Sequence, residues 1–145
     1  NWSGPPVNVE RHYAADLPAM QLDGSFCEQV FVNLAQNAYE AMSGQGGGTL
    51  RISIGPAQRD GRRGLEVRVE DSGPGIAVEL SGQIFNPFVT TKKTGVGLGL
   101  SLVSKIVDEH RGSIELSGGE GGGACFVVFL PFVEPVVLLP QVSTR

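Results

Sequence analysis

Two amides, one carboxylate and two runs of glycine carry the chemistry that this sequence offers. Asn33 and Asn37 stand four residues apart in a segment of helical pattern, so they share one helix face. They interrupt the apolar series around Val30, Leu34 and Ala41. Amides so placed either bond to nearby backbone or supply oxygen ligands to a hard cation such as Mg²⁺, which keeps several waters and shares phosphate oxygens. Asp71-Ser72-Gly73-Pro74-Gly75-Ile76 sets an acid at a strand end before a Gly-Pro-Gly stretch. That carboxylate can accept a hydrogen bond from an exocyclic amino group such as that of adenine. Gly73 and Gly75 let backbone approach a flat ring closely. Taken alone, the pattern is equally an ordinary turn.

Gly95-Val96-Gly97-Leu98-Gly99-Leu100 opens a second helical pattern. Its glycines expose N–H groups at a helix N-terminus, an arrangement suited to phosphates. The spacing is GxGxG after a loop, which departs from the dinucleotide fingerprint, and no Gly-Lys-Ser/Thr of a phosphate loop is present. Phe85-Asn86-Pro87-Phe88-Val89-Thr90-Thr91-Lys92-Lys93 comes just before. Its lysines are either ordinary solvated charges or cations within reach of an anion held by those glycines.

The elements that must position these groups follow from periodicity. Residues 6–13 alternate as a first strand, and Met20 to Leu22 add a very short one. Asp23-Gly24-Ser25, with Glu28 three residues after Ser25, reads as a capping box opening a helix to about Met42. Phe26, Val30, Leu34, Ala38 and Ala41 form its apolar stripe. Residues 49–55 and 64–71 alternate strictly, which predicts an antiparallel hairpin with one wet face across an Arg-rich turn. A short helix over 77–84 and a long loop over 85–96 are expected next, long loops being functional or mobile. A helix over 97–110 stops at Arg111-Gly112, and residues 113–117 and 124–130 form a second hairpin. No element is assigned after Pro131, where Pro135 and Pro140 punctuate valines and leucines.

At 145 residues, one domain with one core is expected. The net charge is −4, and only Arg62-Arg63 and Lys92-Lys93 pair their positive charges, which argues against a nucleic-acid binder. No apolar run is long enough to cross a bilayer and no secretory signal is legible, so a cytoplasmic domain without membrane contact is expected. Cys27 and Cys125 lie far apart, without metal-ligand spacing, and read as buried, reduced thiols. The start at Asn1-Trp2-Ser3-Gly4 reads as that of an excised fragment.

The order and spacing of the four motifs resembles the histidine-kinase branch of the GHKL ATPase superfamily, of the nitrogen- and oxygen-sensing kind. Gln29 to Ala41 is similar to that family's asparagine box and Asp71 to Ile76 to its first glycine box. Phe85 to Lys93 is similar to its phenylalanine box and Gly95 to Leu100 to its second glycine box. The resemblance implies a Bergerat-type, two-layer α/β sandwich over residues 5–132. Its sheet would be mixed, mostly antiparallel and five-stranded, packed on about three helices. An ATP lid would span about 85–96, and 133–145 would form a tail. It implies ATP and Mg²⁺ as cofactors, with Asn37 as metal ligand supported by Asn33. Asp71 would bind the adenine amino group, with Gly73, Gly75 and Ile76 around the ring. Phe88, Thr91, Lys92, Gly95, Gly97, Leu98, Gly99 and Leu100 would hold the phosphates and form the lid. Hydrolysing relatives carry a glutamate where this chain has Asn33, and an amide is no general base near neutral pH. The resemblance therefore implies phosphoryl transfer to a histidine in a separate upstream dimerisation and phosphoacceptor domain, then to a response regulator. His12 and His110 lack the context of such an acceptor. Another ATPase or protein-serine kinase of the superfamily, or a non-enzymatic nucleotide-sensing module, are the alternatives. Ala124 stands where the family often has Thr, Arg111 where it often has Gly, and Glu40 where some relatives place a phosphate-contacting Lys.

Overall fold

A computed structural model describes residues 4–17, 24–76, 98–118 and 122–132; of Leu98 and Gly99 it describes the backbone. Five strands form one mixed sheet: β1 (Val7–Tyr13), β2 (Gly48–Arg59), β3 (Arg62–Asp71), β4 (Ser113–Gly118) and β5 (Ala124–Pro131). Their order in space is β1-β2-β3-β5-β4. β1 runs parallel to β2, and the other three pairings are antiparallel. The expected five-stranded, mostly antiparallel sheet is therefore found, backed on one face by helices. Met20–Leu22, the 77–84 helix, the 85–96 lid and the 133–145 tail lie outside the described residues.

The hairpin β2–β3 is longer than its alternation implied. It turns at Asp60-Gly61, both with positive φ (53° and 76°), the two-residue turn that matches strand twist. The Arg-rich segment assigned to the turn is strand. Arg59 reaches Glu66 at 3.6 Å and Glu115 at 3.1 Å across the outer face, which holds the hairpin ends in the sheet. On the same face Arg51 pairs with Glu10 at 3.2 Å and Glu70 at 3.6 Å. The stems of Arg59, Arg62 and Arg68 lie over the outer side of β5. The Arg59 and Arg62 guanidinium carbons lie 5.8 and 6.0 Å from the Phe129 ring centroid. Cys125, Val127 and Phe129 are thereby buried on the outer face, while Phe126, Val128 and Leu130 face the helices. An interior strand covered on both faces needs no alternation, which is why residues 124–130 read as a continuous apolar run. Cys125 is a free thiol whose pKa is raised by burial and then by the Glu70 charge; Cys27 is free and only half-buried.

The helix expected from 25 to 42 is present but irregular. α1 (Gly24–Cys27) passes into a π-helical turn (Glu28–Val32) and then α2 (Asn33–Ser43). Its buried residues are Phe26, Val30, Leu34, Ala38 and Met42, each four from the last; Ala41, expected in this stripe, is exposed, because the register of four places Met42 against the sheet instead. In a straight α-helix such a series drifts about 40° per step, or about 160° in all. A π turn holds one extra residue and takes back about 100° of that drift, so both halves of the helix face the same core. Ser25 is not an N-cap as expected: it lies inside α1, where its hydroxyl accepts a hydrogen bond from Gln29 Nε2 at 2.9 Å.

α3 (Leu98–Glu109) packs against α2, the π turn and β4. Val103 and Val107 are fully buried, and Leu100 packs at the core margin. It closes in a Schellman arrangement: Arg111 N–H donates to Asp108 O at 2.9 Å and Gly112 N–H to Val107 O at 3.0 Å. Arg111 takes the left-handed position, φ 64°, that glycine normally fills. Gly112 is kept small by the Phe129 carbonyl, 2.3 Å from where a β-carbon would stand. Between helix and sheet, Phe31 and Ala35 face Ile52, Ile54, Leu65 and Leu130 across an apolar cavity of about 260 Å³. Among the described residues no helix is long and apolar enough to cross a membrane.

Candidate functional site

β3 ends at Asp71 with its side chain on the helix-facing side of the sheet, in line with Val67 and Val69. Asp71 is 5% exposed, and no other buried polar or charged residue is found among those described. Its Oδ1 accepts two backbone hydrogen bonds, from Gly73 N–H at 2.8 Å and from Ala124 N–H at 3.3 Å. Both fall on one oxygen, so Oδ2 remains an acceptor without a hydrogen bond among the described residues. Burial raises the Asp71 pKa, the two N–H bonds oppose that rise, and the Glu70 charge adds to it.

Glycines shape the space around this carboxylate. A β-carbon on Gly123 would lie 1.8 Å from the Asp71 carbonyl oxygen, so that position admits glycine alone. Gly75 has φ +81° and abuts the Gly122 carbonyl, and Ile76 packs against the core. A β-carbon on Gly73 would sit 3.0 Å from Asp71 Oδ1 and 3.4 Å from the Ala41 backbone, which ties the loop to the end of α2. Ala124 serves the site through its N–H. The missing hydroxyl of the more usual threonine takes nothing from that bond.

Two residues not singled out from sequence brace the loop. Ser72 Oγ accepts from Thr49 N–H at 2.8 Å and its own N–H donates to Thr49 O at 3.1 Å. Gln45 Nε2 donates to the carbonyls of Gly47 and Ser72, each at 3.0 Å. The only sequence signal for them was their position beside glycines at element ends.

Asn37 and Asn33 lie one and two turns before Ala41 on α2. At 1.5 Å per residue they stand roughly 6 and 12 Å along the helix from the Gly73 contact. Both are half-buried. The Asn33 nitrogen does take the bland role of bonding to backbone: Nδ2 donates to Gln29 O at 2.6 Å. Its oxygen is left as an acceptor. The structure therefore brings together Asp71, Gly73 and Gly75, and sets their loop against the end of the helix that carries Asn37 and Asn33. Leu98 and Gly99 begin α3 as expected, and Leu100 faces the core margin. Phe88, Thr91, Lys92, Gly95 and Gly97 lie outside the described residues. His12 is exposed on β1, 3.4 Å from Glu10. His110 donates from Nδ1 to Ile106 O at 2.8 Å, its ring 4.3 Å from that of Phe26. His12 is thus a surface residue and His110 is held at the end of its helix.

Residues 22–134 match the family model described as histidine kinase-, DNA gyrase B- and HSP90-like ATPase. The sensory histidine kinase/phosphatase NtrB of Rhodobacter capsulatus is 42% identical over 125 residues, which cover 81% of this chain and 35% of that protein. The chain spans 12% to 35% of the length of the first curated relatives. Among solved structures, the nucleotide-free catalytic domain of the histidine kinase ThkA superposes with a TM-score of 0.71 at 35% identity, covering 86% of this chain and 78% of that one. Full-length ShkA in complex with AMPPNP superposes with a TM-score of 0.72 at 29% identity, covering 89% and 26%. The chain belongs to the family of histidine kinase-, DNA gyrase B- and HSP90-like ATPases, as an ATP-binding catalytic domain of the histidine-kinase kind.

Proposed function

We propose that this domain binds Mg·ATP with its adenine on Asp71 and presents the γ-phosphoryl group to a histidine of a separate dimerisation domain, from which a response regulator would take it. The observation that carries the reading is the buried Asp71 carboxylate, with one oxygen spent on backbone and the other open as an acceptor. Adenine's exocyclic amino group is a donor that completes this carboxylate. From there the stripe Ala41–Asn37–Asn33 leads along α2 over the length of a triphosphate.

Magnesium fits this donor set. The described residues hold no cluster of three or more His, Cys, Asp or Glu side chains. A hard cation here would be shared between the amide oxygens of Asn37 and Asn33, water and phosphate oxygens. Such an ion, when bound, neutralises charge on the phosphates. Amide N–H groups at the start of α3, with Gly95, Gly97 and Gly99, would hold the same phosphates in place. Phe88, Thr91 and Lys92 would close over them. Positioning and electrostatics supply most of the catalysis in phosphoryl transfer. Asn33, being an amide, activates no water, so the nucleotide is kept for an acceptor rather than hydrolysed.

The test has two arms. Calorimetric titration of the chain with ATP and Mg²⁺ should show one site. Replacing Asn37 by Ala in a protein that also contains the phosphoacceptor domain should abolish phosphohistidine formation. Undiminished phosphohistidine in Asn37→Ala refutes the assignment.

A further inference from the structure

The one irregular turn of the long helix ends at Asn33. In a regular α-helix the Gln29 carbonyl would accept from the backbone N–H of Asn33, four residues on. Here that N–H turns to the carbonyl of Val30 instead. The Gln29 carbonyl is met by the side-chain amide of Asn33 at 2.6 Å. Gln29 itself is anchored one turn back through Ser25 Oγ at 2.9 Å. The side chain of Asn33 is thus built into the helix at the residue that closes the π turn. Irregular turns of this kind recur at functional sites.

We propose that the π turn Glu28–Val32 is a positioning device: through the Gln29 carbonyl it fixes which atom of Asn33 faces the nucleotide. The nitrogen is committed to the helix, so the oxygen alone is presented toward the metal-bearing phosphates. The choice of residue at 33 then has a geometric reason besides the absence of a base. A carboxylate has no proton to give the Gln29 carbonyl, and two oxygens at such a distance repel. Asp at this position is the better magnesium ligand by charge, yet it would be turned away from the site. This inference rests on the Mg·ATP reading and deepens it.

The experiment compares wild type with Asn33→Asp and Asn33→Ala by nucleotide titration in Mg²⁺ and in EDTA, with side-chain amide exchange measured on the nucleotide-free, ¹⁵N-labelled protein. Expected is slowed exchange at Asn33 Nδ2 before any nucleotide is added. The gain in ATP affinity conferred by Mg²⁺ should fall at least tenfold in both, and Asn33→Asp should show no new ATP hydrolysis. Asn33→Asp with an equal or larger magnesium-dependent gain overturns the proposal. So does free exchange of the Asn33 amide in wild type. Wild type that binds no nucleotide would refute the Mg·ATP reading, while its amide exchange would still report the helix geometry.

Discussion

Asp71→Asn separates the part this residue plays in the fold from the part proposed for it in binding. Asn keeps an oxygen for the N–H groups of Gly73 and Ala124 and replaces Oδ2 by an NH₂ group. On the folding side, a buried charge is removed. The Asp71 pKa is raised by burial, so its charged form disfavours the fold. The sign follows by linkage. Relative stabilisation is full below the unfolded pKa and is lost as pH rises through the raised folded value, so at neutral pH the charge is a burden on the fold. Asp71→Asn should therefore be as stable as wild type at pH 7, or more so, and should lack the rise in stability that wild type shows on acidification through that window. On the binding side, a charge-assisted hydrogen bond to the adenine amino group is replaced by two donors facing each other. Losing such a bond and burying an unmatched donor costs about 3–5 kcal/mol, roughly a hundred- to several-thousand-fold in Kd. Calorimetry with ATP and denaturant melts across pH give both numbers. Hypoxanthine nucleotide, with a carbonyl where adenine has its amino group, should bind the variant better than ATP does. Refutation would be an unchanged Kd for ATP, or a loss of binding matched by an equal loss of stability.

Three further outcomes are expected. Gly123→Ala forces a β-carbon to 1.8 Å from the Asp71 carbonyl and should cost about 3 kcal/mol in denaturant melts, with loss of ATP binding. Arg111→Gly relieves the left-handed strain at the end of α3 while its carbonyl still accepts from Arg62 Nη1 at 2.9 Å; it should stabilise by about 0.5–1 kcal/mol and raise Tm by a few degrees. Ala35→Leu extends into the apolar cavity beside Ile52 and Ile54 and should stabilise by about 1 kcal/mol without changing ATP affinity.

What could be read in advance was whatever the local chain specifies by itself. The four-residue stripe of α1–α2, the alternation of β2 and β3 and the unbroken run of β5 each report a burial pattern, and each was legible. Asp71 and its glycines were legible because an acid and two flexible residues at a strand end already limit the chemistry. The turn at Asp60-Gly61 was hidden by arginines that look like loop residues. They are strand because groups on other strands and at a helix end receive them: Arg59 pairs with Glu66 and Glu115, and Arg62 donates to the Arg111 carbonyl 49 residues on. The π turn escaped because period alone does not tell a wound helix from a locally unwound one. Gly123 looked like any member of a glycine-rich turn; its demand for glycine comes from the Asp71 backbone, 52 residues away. Ser25 looked like a cap because the helix start depends on how the chain arrives, and Asp23 lies outside the described residues.

β5 delivers the Ala124 N–H to Asp71 with its first residue and is buried along its whole length on both faces. The floor of the site and the middle of the fold are therefore one cooperative unit. Opening the hydrogen bond between Ala124 and Asp71 means detaching the first residue of this buried strand, so that amide should exchange slowly with solvent. On the proposed reading, the end of the site that would receive the base is thus tied to the most deeply buried strand of the sheet.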